Sequence, residues 1–232
     1  MASSETGYAK NAANAQDLII RLKTLGTDYK PPKDVFEIKA LENLSKGIND
    51  AMQQLNQVLP IYRKAVDEQE IIFKPLNNLI TRSYNYLKAA IDHPDKLQTA
   101  KTLADQLRGV SKKSIIAGAA VSSHTRTSYD NKIENFKHYI NVLTTSGVYE
   151  PMEEDISIPS FQTLITAMEN NITAVALAKT PVDDARQKRF TLFYAERTGL
   201  VDIVTGIKNY IRASLTKDHP GYKHILALSF KK

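Results

Sequence analysis

The chain has 232 residues, 24% of them charged, a formal net charge of +6, and neither Cys nor Trp. A chain of this length can hide about 70–75% of its unfolded surface, enough for one substantial core or two smaller ones. The missing cysteine excludes disulfides, thiolate metal sites and thiol nucleophiles together, and it favours a reducing compartment.

The first helix is predicted from Tyr8, where Tyr8, Ala12, Ala15, Ile19 and Leu22 recur at steps of three and four, the spacing of one helix face. A shift of 121 residues places Tyr129, Ile133, Phe136, Ile140 and Leu143 on an equivalent face, and the same shift matches Asn14 with Asn135 and Gly26 with Gly147. Each glycine stands where a helix would end with positive φ. Tyr29-Lys30-Pro31 and Tyr149-Glu150-Pro151 follow. Proline holds the residue before it extended, so both stretches read as connectors.

Second helices are expected from near Asp34 and near Pro159, with Leu41, Leu44, Ile48 and Leu55 on one face and Phe161, Leu164, Ile165, Met168, Ile172 and Val175 on the other. Pro60 and Pro181 arrive at equivalent points. Thr180-Pro181-Val182-Asp183-Asp184 has the composition of a helix start, whereas Leu59-Pro60-Ile61 has no cap. A tight bend between two helices and a kink in one long helix both fit. The third helices run through Phe73, Leu76, Ile80, Tyr84 and Leu87, and through Phe193, Leu200, Val204, Ile207 and Ile211, with Pro75 and Gly199 as matched weak points. They close on NYLKAAI at 85–91 and NYIRASL at 209–215, each followed by Asp-His-Pro. That tripeptide reads as a helix stop, with His against the C-terminal dipole. Between the copies, 95–108 reads as a short helix and 109–128 as a linker. The stretch LALSFKK after residue 225 is expected to dock Leu226, Leu228 and Phe230 as an extended piece.

The predicted fold is therefore all-α, a long-helix bundle built from two pseudo-symmetric three-helix units related by internal duplication. Residues 1–94 form the first repeat, 95–128 a short helix and linker, and 129–232 the second repeat with its tail, expected as one compact structural domain.

No motif here specifies a reaction. His93, His124, His138, His219 and His224 include no HExxH, and Glu134 and His138 are four apart rather than the three a bundle di-iron site uses. No Gly-rich phosphate loop or nucleophile elbow appears. Catalytic residues, metal ligands and cofactors are therefore expected to be none. Asn43-Leu-Ser45 and Asn171-Ile-Thr173 match the glycosylation rule, but no secretory signal precedes them. Arg186, Lys188, Arg189 and Arg197 could form an anion site, although the interleaved Asp183, Asp184 and Glu196 favour a solvated face laced by ion pairs. Tyr8, Tyr29, Tyr129 and Tyr149 could stack on bases or sugars, but packing with a hydroxyl reaching the rim explains the same pattern more cheaply. The candidate interaction residues are thus Tyr8, Tyr29, Tyr129, Tyr149, Arg186 and Arg189.

Residues 1–94 carry 12 basic and 11 acidic side chains, 95–128 carry 6 and 2, and 129–232 carry 13 and 12. The excess sits mostly between the repeats, which argues against a nucleic-acid partner. The longest uncharged apolar run, IIAGAAV at 115–121, is too short for a membrane span. A soluble, cytoplasmic protein is expected.

Together GYAKNAAN at the start, SYDNKIENF at 128–136, the Tyr-x-Pro loops, LFYAERTGLVDI at 192–203 and KNYIRASLTKDHPGYKHI at 208–225 resemble an uncharacterised bacterial family of all-helical proteins of about this length. The resemblance covers nearly the whole chain and carries over no catalytic role. The expected function is that of a non-enzymatic helical structural or protein-interaction protein. The alternative is a small-ligand or carbohydrate-binding module with a site between the repeats.

Overall fold

A computed structural model describes residues 3–92, 94–109 and 128–231. The described residues form an all-α protein without strands: α1 (Ser3–Thr24), α2 (Ile38–Phe73), α3 (Leu76–Ala90), α4 (Pro94–Leu107), α5 (Tyr129–Thr145), α6 (Ile158–Tyr194), α7 (Leu200–Ser214) and α8 (Pro220–Ala227). Among them, no helix is long and apolar enough to cross a membrane. Most of the expected linker, 110–127, lies outside the described residues, as do His93 and His124.

Among the described residues, 3–107 and 128–227 follow a similar order of helices, with an additional 3-10 turn at Gly26–Asp28 in the first stretch. Gly26 at φ +54° and Gly147 at φ +76° take the left-handed conformation that side chains with a Cβ resist, and so end α1 and α5. A short 3-10 turn follows each connector, Asp34–Phe36 or Glu154–Ile156, and leads into a long helix of 36 or 37 residues. Ser128 caps α5, its hydroxyl accepting from the Asn131 N–H at 3.3 Å, and Ser157 accepts from Ser160 N–H at 3.3 Å ahead of α6. Both long helices run through their prolines without interruption, which decides between the bend and the long helix. Pro60 and Pro181 are exposed, as are Asn56 and Leu177 four residues before them. The carbonyls that lose their N–H donor therefore lie on the wet side of the helix, where water can replace it. The real breaks fall at Pro75 and Gly199, which become the residues before α3 and α7, so Phe73 and Phe193 belong to the last turns of the long helices instead of opening the third ones.

The chain divides into two compact units, Met1–Pro60 with Thr180–Lys232, and Ile61–Lys179. Both divisions fall at the prolines, so each long helix changes packing partners there. In the first unit Leu18, Ile19 and Leu22 of α1 meet Leu41 and Ile48 of α2, Phe193 of α6, and Leu200, Val204, Ile207 and Ile211 of α7. In the second, Phe136, Ile140 and Leu143 of α5 meet Phe73 of α2, Ile80 and Leu87 of α3, Ala104 and Leu107 of α4, and Phe161 and Met168 of α6. Each unit thus draws helices from both halves of the sequence. A fully buried Leu, Ile or Phe contributes about 1.5–3 kcal/mol, so the apolar stripes suffice to hold each set together.

Candidate functional site

Tyr8, Arg186 and Arg189 come together in the first unit. Tyr8 on α1 meets Phe193 edge to face, with ring centroids 4.9 Å apart, and Tyr194 at 5.5 Å. Arg189 lies one turn before Phe193, only 6% exposed, with its guanidinium 3.9 Å from the Tyr8 ring centroid. The negative face of the ring offsets part of the cost of burying that cation. Arg189 therefore departs from the solvated-face reading of the basic cluster, because its planar head can stack where an ammonium could not. Arg186 does stay exposed, 3.9 Å from Asp183, and the two residues, with Tyr8, Gln187, Arg189 and Phe190, line a shallow open groove.

Tyr129 stands apart, in the second unit. It packs edge to face on Phe73 at 4.6 Å, and Lys132 holds its ammonium 5.6 Å from the same ring. The residue four before Phe73 is Gln69, 7% exposed, so this shallow groove lacks the buried cation of its counterpart.

Tyr29 and Tyr149 line neither groove. The Tyr29 hydroxyl donates to the Phe36 carbonyl at 2.6 Å, and Tyr149 donates to Ile156 at 2.7 Å. Each ring also meets a tyrosine of the opposite half edge to face, Tyr29 with Tyr210 at 5.7 Å and Tyr149 with Tyr86 at 5.3 Å. Tyr210 accepts from the Lys30 N–H at 3.0 Å, while Tyr86 donates to the Glu150 carbonyl at 2.8 Å. Burial pushes both the Tyr29 and the Tyr149 phenols well above their ordinary range, so neither offers a phenolate for chemistry.

His219 opens α8 rather than stopping α7: its Nδ1 accepts from the Gly221 N–H at 3.1 Å, with Pro220 at the first helical position. The helix-stop reading fails here because α7 has already ended at Ser214. Glu134 is held by Lys137 at 2.8 Å, and Lys137 also meets Glu169 at 2.9 Å. Asn171 is 6% exposed and donates to the Ala65 carbonyl at 3.2 Å, which removes it as a glycosylation acceptor in the fold. Among the described residues no three His, Asp or Glu side chains could hold a metal ion.

One cluster escaped the sequence reading. Asn11, on the buried face of α1 and only 2% exposed, donates from Nδ2 to the Lys231 carbonyl at 2.7 Å and accepts from the Lys231 N–H at 3.2 Å. Asn14 donates to the Ser229 carbonyl at 2.6 Å, and Lys208 of α7 donates to the carbonyls of Leu226, at 3.1 Å, and Leu228. The signal was a polar residue inside an apolar stripe: Asn11 interrupts the run from Tyr8 to Leu22. Comparison of the chain with protein-family models, curated proteins and solved structures finds no match to any of them.

Proposed function

We propose that this is a non-enzymatic helical protein that works as a structural or protein-interaction element, built from a duplicated unit whose copies exchange helices. The observation that carries the reading is the reciprocal tyrosine clasp. Tyr29 and Tyr149 recur in the sequence; their hydroxyls close the loop before a long helix onto its own 3-10 turn, and their rings pack that loop against a helix of the opposite half. Residues that recur because a loop must be held are packing residues, and a duplicated helical scaffold needs them in both copies. The test is a turnover screen of the purified chain on esters, phosphoesters and glycosides, alongside Tyr8→Phe and Arg189→Met. No turnover is expected, and turnover abolished by a single substitution overturns the proposal.

A second reading, a small anionic or sugar ligand, draws on one observation, the Arg189 cation stacked on Tyr8 beside the exposed Arg186 and Phe190. A ligand at a hundred times its dissociation constant stabilises by about 2.7 kcal/mol. A thermal-shift screen therefore tests it, with Arg186→Ala expected to remove any shift; no shift across a broad library overturns this second reading.

A further inference from the structure

We propose that the groove between α1 and α7 is a docking site for an extended polypeptide. The chain's own residues 228–231 occupy it, and an extended partner segment with two apolar side chains one residue apart takes their place. The proposal rests on reading the protein as an interaction element.

The groove holds backbone, not side-chain identity. Asn11 pairs with both the N–H and the C=O of Lys231, as a neighbouring strand would, and this reciprocal pairing also fixes which way its amide points. Asn14, three residues further along α1, holds the Ser229 carbonyl. Three residues along a helix advance about 4.5 Å, and two along an extended chain about 6.6 Å, so two asparagines on one face reach alternate residues of a segment running antiparallel to α1. From the other wall, Lys208 holds the Leu226 and Leu228 carbonyls, and its ammonium lies 5.9 Å from the Phe230 ring centroid. None of these hydrogen bonds depends on which side chains the segment carries.

Selectivity comes from the alternation. Leu228 and Phe230 pack partly buried against the core of the unit, while Ser229 and Lys231 are exposed. An extended peptide gripped along its backbone, with pockets for alternate side chains, is a recurrent mode of peptide recognition.

The second unit indicates that the fold does not need this clamp. There α4 continues as helix to Leu107, burying Ala104 and Leu107. At the positions matching Asn11 and Lys208 the sequence has Lys132 and Tyr84. Helical backbone satisfies its own hydrogen bonds, whereas an extended strap must find them on its host. The clamp exists only where the segment is extended. A strap of four residues with two half-buried anchors belongs to the part of a structure that opens most readily.

The experiment uses the full chain and a fluorescein-labelled synthetic peptide with the sequence of residues 226–231. A resident segment on a short tether competes at millimolar effective concentration. The peptide should therefore bind the Leu228→Ser/Phe230→Ser chain at least about tenfold more tightly than the natural chain. Adding Asn11→Ala should weaken that binding at least about tenfold, and a peptide with Ser at both apolar positions should not bind. Equal binding to the natural and Ser/Ser chains, or binding indifferent to Asn11→Ala, overturns the proposal. Should the Ser/Ser chain not fold, hydrogen exchange on the natural chain decides: about 10 mM peptide should speed exchange at the Lys231 amide, and unchanged exchange overturns the proposal. A chain that binds no peptide and turns over no substrate overturns the groove alone, whereas turnover abolished by one substitution overturns the interaction reading itself.

Discussion

Gly206 lies in the interior of α7, where glycine costs about 1 kcal/mol relative to alanine. Helix propensity alone would make Gly206→Ala stabilising. The structure predicts the opposite, because a Cβ there would stand 2.4 Å from Phe36 Cζ and 2.9 Å from Cε1, against a preferred carbon separation of about 3.5–4.0 Å. The Phe36 ring is buried, and its backbone carbonyl is held by Tyr29, so it has little room to withdraw. Overpacking costs about 1–3 kcal/mol, and contact this close falls at the upper end. After the propensity gain, Gly206→Ala should destabilise by about 2 kcal/mol, or roughly 4–8 °C in Tm for a chain of this size. Gly47→Ala is the control. Its Cβ would meet only Leu192 Cδ2 at an ordinary 3.8 Å, so it should stabilise by about 1 kcal/mol. Urea and thermal unfolding followed by circular dichroism read both, and a double-mutant cycle with Phe36→Leu should recover at least half the Gly206→Ala cost. A Gly206→Ala chain as stable as Gly47→Ala, or a cost unchanged by Phe36→Leu, refutes the placement of the Asp34–Phe36 turn against α7.

Replacing either interior proline, Pro60→Ala or Pro181→Ala, should stabilise by about 2 kcal/mol. The roughly 3 kcal/mol helix penalty is relieved, and about 1 kcal/mol is lost to a freer unfolded chain; a fall in Tm would show that the long helices do not continue there. Burial pushes the Tyr139 phenol up to about 12, opposed by its 2.9 Å hydrogen bond with Ser83 Oγ. Below pH 10 the phenol is neutral in both the folded and the unfolded state. The unfolded phenol ionises first as pH rises, so stability is lost between pH 10 and 12, by about 3 kcal/mol. Absorbance at 295 nm alongside circular dichroism checks this, and a Tyr139 phenol titrating near pH 10 in a still-helical chain contradicts it.

The helix faces were legible because burial follows periodicity. Ala12, Ala15, Ile19 and Leu22 are buried, as are Ile133, Phe136, Ile140 and Leu143, and α4 matches its expected span within a residue. Which stripe packs on which was not legible. The stripes of the two halves share one chemistry, so α1 could bury its face against either third helix with similar gain. Continuity through Pro60 and Pro181 decides the partners, and a cap-like Thr180-Pro181 read locally as a helix start because its exposed face, where water can serve the orphaned carbonyl, is a tertiary property. Of the candidate residues, Tyr8, Arg186 and Arg189 share a groove, although the sequence favoured packing for the tyrosine and a solvated ion-pair face for the arginines. Tyr29 and Tyr149 recur in sequence but face their own loops. Asn11 and Lys208 carried no recognisable motif, since their backbone contacts depend on where the tail is laid, 220 residues from Asn11 in sequence.

The central claim is that the recurring tyrosines hold an interaction scaffold together rather than meet a ligand, and Tyr29→Phe and Tyr149→Phe test it most directly. Each removes the hydroxyl that donates to a buried carbonyl. The account predicts that both variants lose stability, by about 1–2 kcal/mol each and by similar amounts. Unchanged stability in either variant would contradict it.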